Sequence, residues 1–192
     1  MLQRAGEIEK GILHLEEAMD HTPQADLYAR GNGVQLLARA YFKAERLPDF
    51  ERTMEEALLI ADRCKTPDNS VHGQFNIGTV YEEYGRSYGV HKQTKKAMEY
   101  LDKAQEAFAA TWTTQKRDAL LLTSRALTLV YGGYIREGTQ VAVEATIHCK
   151  RYGNVRLLDR IYGVQNYLDQ LTRDIGTGKS ELNEVLYGEV DY

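Results

Sequence analysis

The side chains best suited to chemistry in this chain are five histidines, two cysteines and several adjacent glutamate pairs. His14 and His21 lie seven residues apart beside acidic residues, so one helix face could carry both. A zinc site takes at least three protein ligands, and the metalloprotease pattern places its two histidines four residues apart. Cys64 and Cys149 lie far apart and read as reduced thiols. The sequence therefore predicts no metal site and no cofactor.

A glycine-rich stretch, Gly176–Ser180, imitates part of a phosphate-binding loop. That loop needs an additional glycine at position 173, where this chain has Arg173, and it must follow a strand. We expect instead a helix-ending turn in which Ser180 caps a further helix. The pair Glu82-Glu83, like the other glutamate pairs, is interpreted as a solvated helix face, and no nucleophile motif occurs. The chain is predicted not to be an enzyme.

Composition and charge exclude further classes of function. The formal net charge is −4, with both signs interleaved, and no basic run is long enough to follow a nucleic-acid backbone. No stretch is apolar enough to span a membrane, and residues 1–10 lack the apolar segment of a signal peptide. We therefore expect a cytoplasmic protein that binds neither nucleic acid nor membrane directly.

An internal pattern recurs four times: a first residue that is usually small, an apolar residue four positions later and an alanine three positions after that. The four copies are Gly11/Leu15/Ala18, Phe50/Met54/Ala57, Ala97/Leu101/Ala104 and Gly138/Ala142/Ala145. Each later copy follows a second helical pattern, in which a small residue marks a close helix contact. The three preceding patterns are Leu37-Ala38 with Tyr41, Ile77-Gly78 with Tyr81 and Gly85, and Arg125-Ala126 with Leu129 and Gly133.

These residues resemble the tetratricopeptide repeat, most clearly from Ile77 to Ala104. The first copy also matches the closing proline of that repeat, at Pro23. The spacing between copies exceeds the usual repeat of about 34 residues, and the only tryptophan, Trp112, is out of position. The resemblance implies an all-α, right-handed superhelical stack of antiparallel helix pairs, with about eight helices and a short C-terminal helix.

The helices are predicted as follows: 2–20, 25–45, 48–64, 69–86, 92–111, 115–132, 135–152, 154–173 and a short one near 180–187. We assign the whole chain, 1–192, to one domain. Its units are the second helix of a truncated repeat (1–24), a repeat (25–66), a repeat with an enlarged loop at 86–94 (67–112), a repeat (113–152) and capping helices (153–192).

The C-terminal stretch resembles the repeat region of bacterial transcriptional regulators that carry a helix-turn-helix or signal-transduction ATPase module. The residues concerned are Tyr152-Gly153-Asn154, Arg156 to Ile161 and Ser180 to Leu186. This resemblance implies the sensor or scaffold part of a larger regulator. The apolar stripe Ile8, Ile12, Leu15 and Met19 in helix 1 is hypothesised to pack on an upstream domain or to form a homodimer.

The first helices of such pairs line a concave groove, which we expect to bind a protein or peptide. Arg39, Lys43 and Asn76 could hold a peptide carboxylate and backbone. The predicted partner-binding residues are Asn32, Gln35, Arg39, Lys43, His72, Asn76, Thr79, Glu83, Thr123, Leu127, Tyr131, Arg160 and Asn166. The alternatives are a self-assembling homodimeric scaffold through helix 1 and a receptor for a small signalling peptide.

Overall fold

The computed structural model describes residues 2–21, 26–64, 75–110 and 115–187. Within those ranges the chain forms eight α-helices and no strand, so the all-α prediction is confirmed. The helices are α1 (Leu2–Asp20), α2 (Leu27–Lys43), α3 (Leu47–Arg63), α4 (Ile77–Val90), α5 (Thr94–Ala109), α6 (Gln115–Tyr131), α7 (Ile135–Arg151) and α8 (Val155–Tyr187). None of these helices is both long enough and apolar enough to cross a bilayer.

One turn geometry recurs at the end of α2, α4, α6 and α7. A residue with positive φ follows each helix: Glu45 (59°), Lys92 (59°), Gly133 (89°) and Gly153 (65°). The next residue donates its backbone N–H to a carbonyl five positions earlier, as Arg46 does to Tyr41 at 2.9 Å. The same bond joins Gln93 to Tyr88, Tyr134 to Leu129 and Asn154 to Cys149. This is the Schellman ending, which satisfies orphan helix carbonyls and turns the chain back sharply.

Helix starts also follow from local chemistry. Asn76 caps α4 by accepting the backbone N–H of Thr79 at 3.1 Å, and the Thr79 hydroxyl accepts the Asn76 N–H in return. This reciprocal pair satisfies two donors that the first turn would leave open. Pro48 lies in the first turn of α3, as predicted, where its missing N–H costs least.

The turns produce three tightly packed hairpins, α2 with α3, α4 with α5, and α6 with α7. The leading helices also contact one another: α4 packs on α6, and α6 packs on α8. A hydrogen bond from the Gln35 amide to the Thr79 carbonyl, 3.0 Å long, joins α2 to α4. The helices α2, α4, α6 and α8 therefore lie side by side, and we call them the leading layer.

Small residues allow the closest helix contacts, as the repeat pattern predicts. A Cβ on Gly78 would lie 2.5 Å from the Phe108 ring, and one on Gly138 would lie 2.6 Å from Val130. Ala57, Ala104 and Ala145 are fully buried. Ala18 is exposed, so the first copy of the pattern was wrong in this position.

The apolar stripe of α1 packs on the body of the protein. Ile12 is fully buried, while Ile8, Leu15 and Met19 are partly buried against the core formed by α2 and α3. Among the residues of α1 from Gly6 onward, whose side chains the structure describes, the exposed large apolar residue is Leu13, which lies outside the predicted stripe.

Two predicted boundaries differ from the structure. The enlarged loop at 86–94 is not a loop, since α4 continues to Val90 and only residues 91–93 separate it from α5. The start predicted for that helix, residue 69, lies outside the described residues. The turn predicted before Ser180 is also wrong: α8 is one helix to Tyr187, and Ser180 lies in its interior. The turn was predicted from the glycines of this stretch, but a helix can contain glycine at a cost in stability.

Candidate functional site

The neighbouring helices enclose a face of α4 that carries three charged residues, Glu82, Glu83 and Arg86. Glu82 retains 3 % exposure and Glu83 none. Carboxylates are almost never buried this fully unless they are paired. The interpretation of Glu82-Glu83 as a solvated face was therefore wrong. Because α4 packs on a leading helix, α6, as well as on α5, the face that carries these residues is turned inward.

Glu83 joins two guanidinium groups. Arg39 on α2 donates its Nε to the Glu83 Oε2 at 2.6 Å. Arg86, one turn further along α4, donates Nη2 to the Glu83 Oε1. Charge-assisted bonds to a buried carboxylate are stronger than neutral ones, so Glu83 holds both arginine side chains in fixed positions.

Glu82 connects α4 to α6 and α8. The Ser124 hydroxyl donates to the Glu82 Oε1 at 2.5 Å. Arg160 Nη1 lies 3.9 Å from the same oxygen, which is an ion pair but too long for a hydrogen bond. Burial raises the pKa of the Glu82 carboxyl, and the Glu83 charge adds to this, although Arg86, Ser124 and Arg160 oppose it.

These six residues form what we call the ionic cluster: Arg39, Glu82, Glu83, Arg86, Ser124 and Arg160. It contains three guanidinium groups and two carboxyl groups, so positive charge is in excess. Arg86 Nε and Arg160 Nη1 are buried and find no hydrogen-bond acceptor among the described residues. A buried donor without an acceptor is costly, and an anionic oxygen would satisfy it.

The cluster has an open side. The side chains of Arg39 and Arg160 remain 39 % and 37 % exposed, whereas both carboxylates are enclosed. Burial lowers the pKa of Arg160, which reflects an incompletely compensated guanidinium. A molecule approaching the leading layer therefore meets guanidinium edges first.

The structure brings together three of the predicted partner-binding residues, Arg39, Glu83 and Arg160. Gln35, Asn76 and Thr79 lie nearby on the same layer, but their polar groups already make the inter-helix and capping bonds described above. Gln35 and Glu83 are buried, so they position other groups and offer no surface to a partner.

The remaining predicted residues are dispersed. Thr123 is buried and donates its hydroxyl to the Ala119 carbonyl at 2.7 Å, so a position in an open groove was wrong. Tyr131 is half-buried and its ring meets that of Tyr167 edge-on, with centroids 4.9 Å apart. Leu127 is partly buried against the apolar cluster that α6, α7 and α8 form. Asn32 is half-exposed, Lys43 and Asn166 are exposed, and His72 lies outside the described residues.

Sequence reasoning missed Glu82, Arg86 and Ser124. The sequence gives no signal for their burial, because Glu82, Glu83 and Arg86 share one face of α4 opposite Val80 and Tyr84, which is the pattern of a solvated polar face. In the part of the chain that the structure covers, no group of three or more His, Cys, Asp or Glu is placed to hold a metal ion.

Comparison of the chain with protein-family models, with curated proteins and with solved structures finds no match.

Proposed function

We propose that this chain is an interaction module that binds a polypeptide segment carrying an acidic group, across the leading layer at the ionic cluster. The observation that carries this proposal is the excess of guanidinium groups over carboxylates, with the side chains of Arg39 and Arg160 partly exposed while both carboxylates are enclosed. A carboxylate offers up to four acceptor sites and matches the fork geometry of arginine.

The architecture we propose is a tetratricopeptide-like, right-handed superhelical stack whose concave side is the leading layer. Three features support it: the repeated Schellman turns, the hairpin pairing, and the contacts of leading helices with one another. Stacked hairpins of this kind share one interior and leave a continuous surface along their leading helices. Such a surface suits an extended or helical segment better than a compact small molecule.

Within a larger protein, a module of this type would serve as the sensor or scaffold part of a bacterial regulator. The segment it binds would then be a signalling peptide or part of another protein. Both ligands present the same chemistry to the cluster: a flexible chain with a carboxylate.

Selection from a displayed library of random peptides supplies a probe. We expect enriched sequences to contain Asp or Glu, and the Arg39→Glu variant to bind a selected peptide more than tenfold more weakly, a loss of over about 1.4 kcal/mol. The matched control is Arg52→Glu, the same change at an exposed position on α3. Circular dichroism confirms that both variants are folded.

Equal affinities of Arg39→Glu and Arg52→Glu for the selected peptides would contradict the assignment of the binding face. Enrichment of peptides without any acidic residue would contradict the proposed ligand chemistry.

A further inference from the structure

The C-terminal half of α8 is a helix that nothing in the described parts of the chain covers. α8 has 33 residues and so is about 50 Å long. Its first half packs on α6 and α7 through Leu157 and Val164. From Thr172 to Glu184 every side chain is exposed.

This uncovered half contains four poor helix formers, Thr172, Gly176, Thr177 and Gly178. Glycine in a helix interior weakens the helix relative to alanine, and a short isolated helix is marginal in water even with a favourable sequence. Tertiary or intermolecular packing must therefore maintain this segment as a helix.

A row of large apolar residues runs along α8 at intervals of seven: Ile161, Leu168, Ile175 and Leu182. We call these residues the α8 row. Ile161 and Leu168 are partly buried against the body, but Ile175 is 63 % exposed and Leu182 is 58 % exposed. Sustained apolar spacing of this kind is the pattern of a helix that packs lengthwise on another helix.

The buried half of the α8 row borders an open, mainly apolar groove of about 410 Å³ between α7 and α8. Its lining includes Val143, Thr146, Leu158, Ile161, Gln165 and Leu168. The groove and the uncovered half of the row therefore lie along the same face of one helix, end to end.

Charge indicates what fills the groove. The uncovered half, residues 172–187, carries three carboxylates, Asp174, Glu181 and Glu184, against two bases, Arg173 and Lys179. One charged residue, the base Lys150, lies in the lining of the groove. The uncovered half therefore has a net charge of −1 and the groove lining a net charge of +1, so each complements the other on a second copy of the chain.

We propose that two copies of this chain form a symmetric dimer in which the α8 helices pack antiparallel. The uncovered half of each α8 fills the α7–α8 groove of the other copy. A twofold axis near residues 171–172 places Ile161 opposite Leu182, and Leu168 opposite Ile175, so the interface is self-complementary. A parallel arrangement would place acidic half on acidic half.

Light scattering on the full chain, separated by size, tests the dimer. At roughly 100 µM the wild type is expected at twice its 21.8 kDa mass. The double variant Ile175→Asp/Leu182→Asp is expected to raise the dimer dissociation constant at least a hundredfold. The matched control, Thr177→Asp/Ser180→Asp, adds the same charge on the opposite side of α8 and should remain a dimer. Leu13→Asp should also remain a dimer, because α1 lies outside this interface.

Disulfide formation tests the orientation, in a Cys64→Ser background in which the other cysteine, Cys149, is buried. Thr172→Cys lies near the twofold axis and is expected to cross-link two copies under mild oxidation. Lys179→Cys should not, because its symmetry mate is about 22 Å away along an antiparallel pair. Cross-linking of both variants would indicate a parallel pair and overturn the proposal.

A wild type that is monomeric at this concentration would overturn the dimer itself. So would a row variant that dimerises as well as the control, or a Leu13→Asp variant that alone dissociates, which would place the contact on α1. Because Ile175 and Leu182 are exposed, their replacement leaves the folded body intact, as the far-ultraviolet spectrum checks.

Discussion

Two adjacent carboxylates of α4 should respond in opposite ways to the same isosteric change. Glu83→Gln removes a charge that Arg39 and Arg86 both contact. Glu82→Gln removes a charge that accepts one hydrogen bond, from the Ser124 hydroxyl, and that the charges of Arg86 and of Arg160, 3.9 Å away, favour without a hydrogen bond. Both substitutions keep the side-chain volume and an amide oxygen that can accept a hydrogen bond.

For Glu83→Gln we expect a large loss of folding stability. Breaking a buried ion pair by removing one partner costs about 3–5 kcal/mol. Arg39 is partly exposed and regains some hydration, so the expected loss lies near the lower end, about 3 kcal/mol. For a domain of this size the midpoint of thermal unfolding should fall by roughly 6–12 °C.

For Glu82→Gln the sign depends on pH. Burial raises the pKa of Glu82 above its ordinary value of 4.5, so the folded chain retains this proton at pH values where the unfolded chain has lost it. Between the two pKa values the folded state binds more protons, and the contribution of Glu82 to stability falls as pH rises. Glutamine has no proton to lose, so Glu82→Gln should be more stable than the wild type above pH 4.5 and equally stable at lower pH.

Urea denaturation of both variants and the wild type between pH 4 and 8 provides the measurement, with the slope checked for two-state behaviour. A Glu82→Gln variant as unstable as Glu83→Gln at pH 7 would refute the reasoning. So would a difference between Glu82→Gln and the wild type that does not change with pH.

Three further predictions concern the turns, the helix contacts and a buried phenol. Lys92→Gly should stabilise the fold by about 1 kcal/mol in urea denaturation, because Lys92 has a φ of 59°, which is strained for a residue with a side chain. The equivalent position after α6 is already a glycine, Gly133. A loss of stability in Lys92→Gly would contradict the turn assignment. Gly78→Ala should lower the free energy of unfolding by about 1–3 kcal/mol, because its Cβ would meet the Phe108 ring. Gly163→Ala in α8 has open space around its Cβ and should raise the free energy of unfolding by up to about 1 kcal/mol. Equal shifts of the two melting temperatures would contradict the packing at Gly78. Burial, with the hydrogen bond to Glu16, raises the pKa of Tyr41 to about 12. Because the folded state then keeps a proton that the unfolded state loses near pH 10, the Tyr41 contribution to stability is lost as pH rises above 10. The difference in absorbance at 295 nm between wild type and Tyr41→Phe should show this titration, and a midpoint near 10 would contradict it.

Much of the fold could be predicted from the sequence, because helix packing depends on patterns that local spacing reveals. Ala57, Ala104 and Ala145 recur at the positions where helices approach, and Pro48 marks a helix start. Ala18 fits the same pattern yet is exposed, because a three-residue pattern does not specify which side of α1 meets the body.

The ionic cluster could be predicted only in part. Arg39, Glu83 and Arg160 were assigned to the leading layer from helix position, but their mutual contacts depend on how four helices are arranged in space. Glu82-Glu83 appeared as a solvated pair because charge alone suggests solvent, and only the packing of α4 on α6 encloses it. Likewise the glycines of α8 suggested a turn because glycine is a poor helix former, whereas the helix continues through them to Tyr187.

The claim on which the functional account depends is that an acidic group of a bound polypeptide meets the guanidinium edges of the ionic cluster. A pair of selected peptides tests it, one with its Asp or Glu residue and one with the corresponding Asn or Gln, each titrated by fluorescence anisotropy against wild type and Arg39→Glu. We expect the amide peptide to bind wild type at least tenfold more weakly, and the two peptides to bind Arg39→Glu equally. The same preference for the acidic peptide in both proteins would contradict the account.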